Sequence, residues 1–293
     1  MRVTRDIMLQ DYKIERLDFS DSTDMQKLVD LQNTVYKGKH VFHSQSFKHW
    51  YLDNPNGRVI SYNALYEDII AAHYAIIPVK MEIESRVVSG LLSMATVTHP
   101  EHQGRGLFKE LARQSYDYAA KNGYEFVIGV ANANSYPGFI KHLNFHDVGM
   151  LDVLVGCKKD IHALPDKTVR MFWDKQSIQW RLGSNRYSKD DTAVYGTHPF
   201  WKFNKAPFIK TYMGSLHNNL LRELDICHTN KTFRPFNLYV GMGSNAKESG
   251  YIPVPKFIKR SPFHLIFLDL TDGKLPKITT DNLFFQLMDF DVA

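Results

Sequence analysis

Apolar and polar positions alternate over Tyr12 to Leu17 (YKIERL), the pattern of a strand with one face buried. The period then changes. Met25, Leu28, Val29, Gln32 and Val35 recur at three- and four-residue steps behind Ser22, which predicts a capped amphipathic helix. A shorter helix is expected over Ser46 to Leu52, ended by the turn signal Asn54-Pro55-Asn56-Gly57. Three β-rich runs follow at close spacing: Val59 to Tyr66, Ile69 to Ile77 and Val87 to Thr98. The short links Glu67-Asp68 and Glu84-Ser85-Arg86 make them an antiparallel meander. A helix is predicted from Gly106 to Lys121, with Leu107, Leu111, Ala112, Ser115 and Ala119 on one side and Gly123 as its left-handed cap. Tyr124 to Ala131 is nearly continuously apolar and reads as a strand. A helix over Tyr136 to Leu143 and a strand from Asn144 or Phe145 to about Val155 complete this half.

From Cys157 the periodicity weakens. KKDIHALPDK reads as a connector, Phe172 to Leu182 as a helix, and Pro207–Tyr212, Phe236–Val240 and His264–Leu270 as β-rich pieces. No internal repeat or low-complexity stretch is evident. A length of 293 residues allows two domains, 10–156 and 157–293.

Composition narrows the function classes. The chain is 44% hydrophobic and 23% charged, as globular proteins are. A net charge of +5 suits an anionic ligand, but Lys and Arg never cluster beyond a pair, which argues against nucleic acid as partner. Cys157 and Cys227 lack CxxC spacing, so neither a metal site nor a disulfide framework is expected. The N-terminus has no apolar signal region, and no apolar run reaches the ~20 residues a membrane span needs. A soluble, cytoplasmic protein without membrane partner is expected.

The most informative segment is Ser93 to Phe108 (SMATVTHPEHQGRGLF), a strand, a proline-marked exit, a glycine-rich turn and a helix start. Backbone N–H groups at a helix start lack intrahelical acceptors, and the helix dipole adds positive charge there. Glycines let the chain approach a bound group closely, so this geometry suits a phosphate or pyrophosphate. No Lys-Ser/Thr pair follows, which excludes a Walker loop, and GRGLFKEL lacks the third small residue of the dinucleotide fingerprint.

Gln103-Gly104-Arg105-Gly106-Leu107-Phe108 resembles the Gln/Arg-x-x-Gly-x-Gly/Ala motif of the GNAT acetyltransferases, with Phe108 where the family usually carries a small residue. The order of elements from Tyr12 to about Gly156 is also similar to GNAT, and ANANSYPGFIKHLNF echoes its second signature. The run WYLDNP at Trp50 to Pro55 is similar to bacterial members with an added C-terminal region. The resemblance implies an α+β fold: a GNAT-like N-terminal domain with a central mixed sheet flanked by helices, plus a C-terminal α+β half. By analogy with tandem members, that half fits a degenerate second GNAT-like fold.

It further implies acetyl-CoA as cosubstrate, held by Val97, Thr98 and the turn Gln103, Gly104, Arg105, Gly106, Leu107 and Phe108, with Asn134 at the pantetheine. No metal is implied. Arg105 is either a phosphate contact or a solvated loop residue; Asn132 and Asn134 either contact coenzyme or cap the next helix. The family's catalytic Tyr maps onto Ile140, leaving Tyr136, one turn earlier, as substitute acid or as packing. His73 is a candidate base or a core histidine. Asp291, with Asp289, is a candidate to hold a cationic amine or a solvated terminal acid. Trp180 and Arg181 either line an acceptor pocket or pack. The implied activity is N-acetyl transfer to a primary amine of a small molecule, first an amino sugar or sugar nucleotide, directly within a ternary complex. The alternatives are an aminoacyl- or peptidyl-type transferase of tandem halves and a non-catalytic acyl-CoA-binding module.

Overall fold

The computed structural model describes residues 7–38, 41–157, 165–182, 187–189, 197–203, 208–217, 234–255 and 261–290. Strand β1 (Lys13–Arg16) leads into helices α1 (Ser22–Val35) and α2 (Ser44–Tyr51). The α1 cap is Asp21 rather than Ser22: its carboxylate accepts from the Thr23 N–H at 2.6 Å. Strands β2 (Ile60–Tyr66), β3 (Ile69–Ile83) and β4 (Arg86–Thr98) form the expected meander, with β1 on its outer edge.

Strand β3 continues through Pro78, past its expected end at Ile77. The Pro78 carbonyl accepts from Asn54 Nδ2 at 2.9 Å, on the side away from β4. The missing N–H therefore faces an edge that β2 has already left, since β2 pairing stops at Ile60–Ile76. A proline costs no ladder bond there.

Helix α3 (Leu107–Lys121), strand β5 (Phe126–Ala131), helix α4 (Tyr136–His142) and strands β6 (His146–Met150) and β7 (Asp152–Gly156) follow. The single strand expected up to Val155 is thus two, broken at Leu151. The remaining elements are β8 (Val169–Met171), α5 (Lys175–Leu182), β9 (Tyr187–Lys189), β10 (Thr197–Phe203), β11 (Ile209–His217), β12 (Phe236–Met242), β13 (Ile252–Pro253), β14 (His264–Asp269) and β15 (Leu283–Gln286). Together the described strands make one mixed sheet.

Two local patterns recur across it. Strands β3, β4 and β5 run antiparallel then parallel, and so do β10, β11 and β12. The halves also exchange a strand. β14 lies antiparallel between β5 and β6, while β7 lies antiparallel between β12 and β13. Residues 10–156 thus need 264–269 to complete their sheet, and the second half needs 152–156.

Helices α1 and α2 cover one face of the first sheet through Met25, Leu28, Phe47 and Tyr51. Helix α3 covers the other through Leu107, Leu111, Ala112 and Ala119. Leu28 and Leu111 are fully buried, each contributing about 2 kcal/mol of hydrophobic stabilisation. Among the described residues, no helix is long and apolar enough to cross a membrane.

Candidate active site

The parallel pairing of β4 with β5 stops at Ser93–Gly129. Just beyond, β4 bulges: Ser93 pairs with Ile76 and Thr96 with Tyr74, so Met94 and Ala95 face the single residue Ala75. An inserted residue bends a strand and breaks its ladder, and here it turns β4 away from β5. The gap is a cavity of about 270 Å³. Ser93 to Thr96 form one wall, and Gly129, Val130 and Asn132 the other. Phe139 belongs to the core beneath α3, whereas Tyr36 and Phe290 belong to the side covered by α1 and α2. The cavity therefore passes through the sheet between its two faces.

Two residues further along β4, Thr98 borders a second cavity of about 390 Å³, enclosed by His102, the turn 103–106, Lys109 and His142. Gly104 and Gly106 have φ of 76° and 75°, the left-handed region that glycine enters without strain. Gly106 is the N-cap of α3 and supplies no capping side chain. The first α3 amides thus have no cap acceptor and no intrahelical acceptor. Open space surrounds both glycine Cα atoms, where an added Cβ would meet nothing within 4 Å. These features fit a bound pyrophosphate.

Gln103 Nε2 donates to the Thr98 carbonyl at 3.3 Å and ties the turn to the strand end. Arg105 lines the turn cavity and also bonds the backbone around it. Its Nε donates to the Ile7 carbonyl at 3.1 Å and its Nη1 to the Glu101 carbonyl, so it braces the turn. Leu107 is buried under the helix. Phe108 packs edge-on against Tyr74 and Phe139. A Cβ on Gly138 would lie 2.8 Å from the Phe108 ring; the small residue is on α4, and the ring on α3 fills the space it leaves.

His73, a candidate base, is a core residue. Its Nδ1 is 2.7 Å from Asn63 Oδ1 and its Nε2 2.9 Å from the Tyr51 hydroxyl. It is 1% exposed, and burial holds its pKa down at about 3, so it stays neutral. Its strand partner Val97 is buried as well. Tyr136 donates its hydroxyl to Asp147 Oδ2 at 2.7 Å, beside His264, whose ring centroid is 4.0 Å away. That carboxylate raises the tyrosine pKa and makes it a weaker acid. The hydroxyl is committed to β6 rather than to the cleft.

Asn132 Oδ1 accepts from the N–H groups of Asn134 and Ser135, at 2.9 and 3.1 Å, and so shapes the turn into α4. Asn132 lines the cleft; Asn134 is exposed beside it. Asp291 lies outside the described residues. Asp289 is not a solvated terminal acid: it is 3% exposed and accepts from Trp173 Nε1 at 3.0 Å and Gln286 N at 2.6 Å. Trp180 donates to the His49 carbonyl, and Arg181 lies 4.7 Å over the Trp50 ring, so both pack.

Sequence reasoning missed Tyr36, Phe290, His102, Lys109 and His142. His102 and Lys109 lie beside the glycine turn or on the helix after it, and their charge type could have flagged them, whereas His142 reaches the turn from α4. Tyr36 and Phe290 meet only through the tertiary fold. Among the described residues, no cluster of His, Cys, Asp and Glu could hold a metal ion.

A mixed sheet that splays at its parallel centre, next to a glycine-capped helix start, defines the fold of acyl-coenzyme A transferases of the GNAT type. Residues 17–146, a little under half of the chain, match the model of the acetyltransferase (GNAT) domain, so that segment carries an acyltransferase domain of the GNAT type. No curated protein matches its sequence. Among solved structures, a conserved protein of unknown function from Enterococcus faecalis, described as a probable N-acyltransferase, is similar at a TM-score of 0.58. Identity is 8%, over 88% of this chain and 73% of that one. A GCN5-related N-acetyltransferase from Kribbella flavida is similar at 0.58 and 9% identity, over 88% and 71%. At such identities the likeness shows the fold, and it extends into the second half.

Proposed function

We propose that the chain is an acetyl-CoA-dependent N-acetyltransferase acting on a primary amine of a small molecule. The observation that carries this is the succession of two cavities along one strand edge, the turn cavity at Thr98 and the through-sheet cleft at Ser93 to Thr96. Two residues of strand, about 7 Å, separate their borders. An extended pantetheine arm suits such an edge, because its amides bond an open strand as an added strand does.

In this reading the amides from Gly106 to Lys109 hold the pyrophosphate, and Lys109 adds positive charge beside it. The bulge at Met94 and Ala95 frees backbone N–H groups from the ladder, and one directed at the thioester carbonyl serves as oxyanion donor. The acceptor nitrogen enters past Tyr36 and Phe290 and attacks the carbonyl carbon. The carbon–sulfur bond breaks, the nitrogen loses a proton to solvent and the thiolate gains one. Tyr36 is the one titratable side chain that lines the cleft among the described residues, and no carboxylate, imidazole, amine or thiol does, so water takes the proton from the nitrogen. The two aromatic rings suit the apolar face of a sugar, which supports an amino sugar or sugar nucleotide as acceptor.

The lack of a carboxylate or imidazole in that lining favours one second reading, an acyl-CoA-binding module without turnover. Calorimetry with acetyl-CoA and thiol release across an amine panel decide between them. Binding with amine-dependent thiol release is expected; binding with none across the panel would establish the module.

A further inference from the structure

The second half contains a cleft built like the first, and it is filled. Parallel pairing of β11 with β12 stops at Tyr212–Tyr239. Immediately after it β11 bulges, because Trp201 pairs with Tyr212 but Phe200 with Gly214. This repeats the bulge that follows Ser93 in β4. Register then shows what takes the open edge. Tyr239 pairs with Tyr212 on one side and Leu154 on the other; Gly241 pairs with Gln286 on one side and Asp152 on the other. Since β7 keeps one edge of β12 throughout, β15 occupies the edge that β11 has left.

The filling extends across to β11. Gln286 Oε1 accepts from Ser215 N–H at 2.7 Å, and its Nε2 donates to the Ser215 carbonyl at 3.4 Å. A side-chain amide thereby bonds both backbone groups of one strand residue, as an added strand or a pantetheine amide would. The fit is close. A Cβ on Gly214 would lie 2.7 Å from Met288 Sδ, and one on Gly241 2.6 Å from the Phe285 carbonyl. Gln286, Met288 and Asp289 are all buried. The next residue, Phe290, stacks on Phe285 and lines the through-sheet cleft of the first half.

We propose that residues 283–290 occupy the second half's pantetheine slot, and that this anchorage positions Phe290 as the acceptor-side wall of the first cleft. The second clause rests on the acetyl-transfer reading of that cleft. It makes Gln286 a positioning residue and Phe290 a determinant of acceptor choice and of water exclusion. The second half is then a scaffold whose coenzyme groove serves the neighbouring site.

Hydrogen–deuterium exchange on the full chain tests the anchorage without any variant. Amides of 283–290 should exchange slowly and stay unchanged under saturating acetyl-CoA, while 97–108 slow with it. Slowing of 209–217 or 283–290 by acetyl-CoA, two coenzymes per chain, or fast basal exchange at 283–290 would each overturn the proposal. If 97–108 fail to respond, the acetyl-transfer reading falls, and basal exchange at 283–290 still judges the anchorage. For positioning, Phe290→Ala and Gln286→Ala should each raise acceptor-free thiol release from acetyl-CoA by about threefold or more by admitting water. Acetyl-CoA Kd should stay within about twofold. An effect of Phe290→Ala alone in folded proteins would refute the role of Gln286, and no effect of Phe290→Ala would refute the wall.

Discussion

Replacement of Gly106 by Asp separates coenzyme binding from folding. The site tolerates the side chain sterically, since a Cβ there meets nothing within 4 Å. Its φ of 75° costs a residue with a Cβ about 1–2 kcal/mol, less for Asp, which enters the left-handed region more readily than most. The mutant should therefore fold with a small loss of stability. Binding is a different matter. A carboxylate about 4 Å from a phosphate repels it by about 4 kcal/mol at an effective dielectric of 20, and about 1 kcal/mol in bulk water. The turn is bordered by solvent on one side, so a loss of about 5- to 1,000-fold in acetyl-CoA affinity follows. Gly123→Ala is the control. Gly123 has φ of 81°, equally open space, and lies at the far end of α3. It imposes similar backbone strain without charge near the turn. Calorimetry on both folded variants should show binding weakened for Gly106→Asp and unchanged for Gly123→Ala. The loss should shrink with added salt, because exposed charges are screened over about 10 Å at 0.1 M. Unchanged affinity in Gly106→Asp would refute the pyrophosphate seat.

Tyr136→Phe removes the bond to Asp147, and turnover should stay within about threefold of wild type; a loss of about 100-fold would restore Tyr136 as the proton donor. Asp289 has its pKa pushed up to about 7 by burial, against the opposing pull of its hydrogen bonds and Arg181. The folded chain then keeps a proton that the unfolded chain releases above its ordinary value near 4, so this group's stabilisation is full at low pH, declines between about pH 4 and 7, and is flat above. The decline amounts to at most about 4 kcal/mol; denaturant titrations should lose that slope in Asp289→Asn, and an identical slope would refute it. Gly90→Ala would drive a Cβ into the ring of Phe126, which stacks on Phe267, and should cost about 1–3 kcal/mol or more in chemical denaturation.

The first half was legible in the sequence because its signals are local. Periodicity in 22–35, short links between the meander strands, and two glycines before an amphipathic helix each act within a few residues. What escaped reading depends on contacts distant along the chain. Pro78 suggests a strand end, and only the departure of β2 makes it harmless. Leu151 carries no turn signal, yet β6 and β7 part there because β14 and β12 compete for the two segments. His73 and Tyr136 have side chains suited to proton transfer. Their partners Asn63, Tyr51 and Asp147 decide that they do other work, and no local pattern announces those partners.

The strand exchange explains why the two halves can differ so much in purpose while sharing a plan. Each sheet is closed by a strand from the other half, so neither half completes its hydrogen-bonded ladder from its own strands. Coupling of this kind ties the second half to the first whether or not it serves as a coenzyme site. A groove whose edges already bond a strand-like arm can hold a piece of the chain itself, and that piece ends beside the first cleft. Phe285 and Phe290 stack with ring planes 13° apart, which passes the position of the anchored strand to the cleft wall across five residues. An acceptor site made in this way can change with a few C-terminal substitutions while the turn at Gly104 and Gly106 stays fixed. On the proposed reading, coenzyme recognition at the turn and acceptor recognition at the Phe290 wall come from different halves of the chain and can diverge independently.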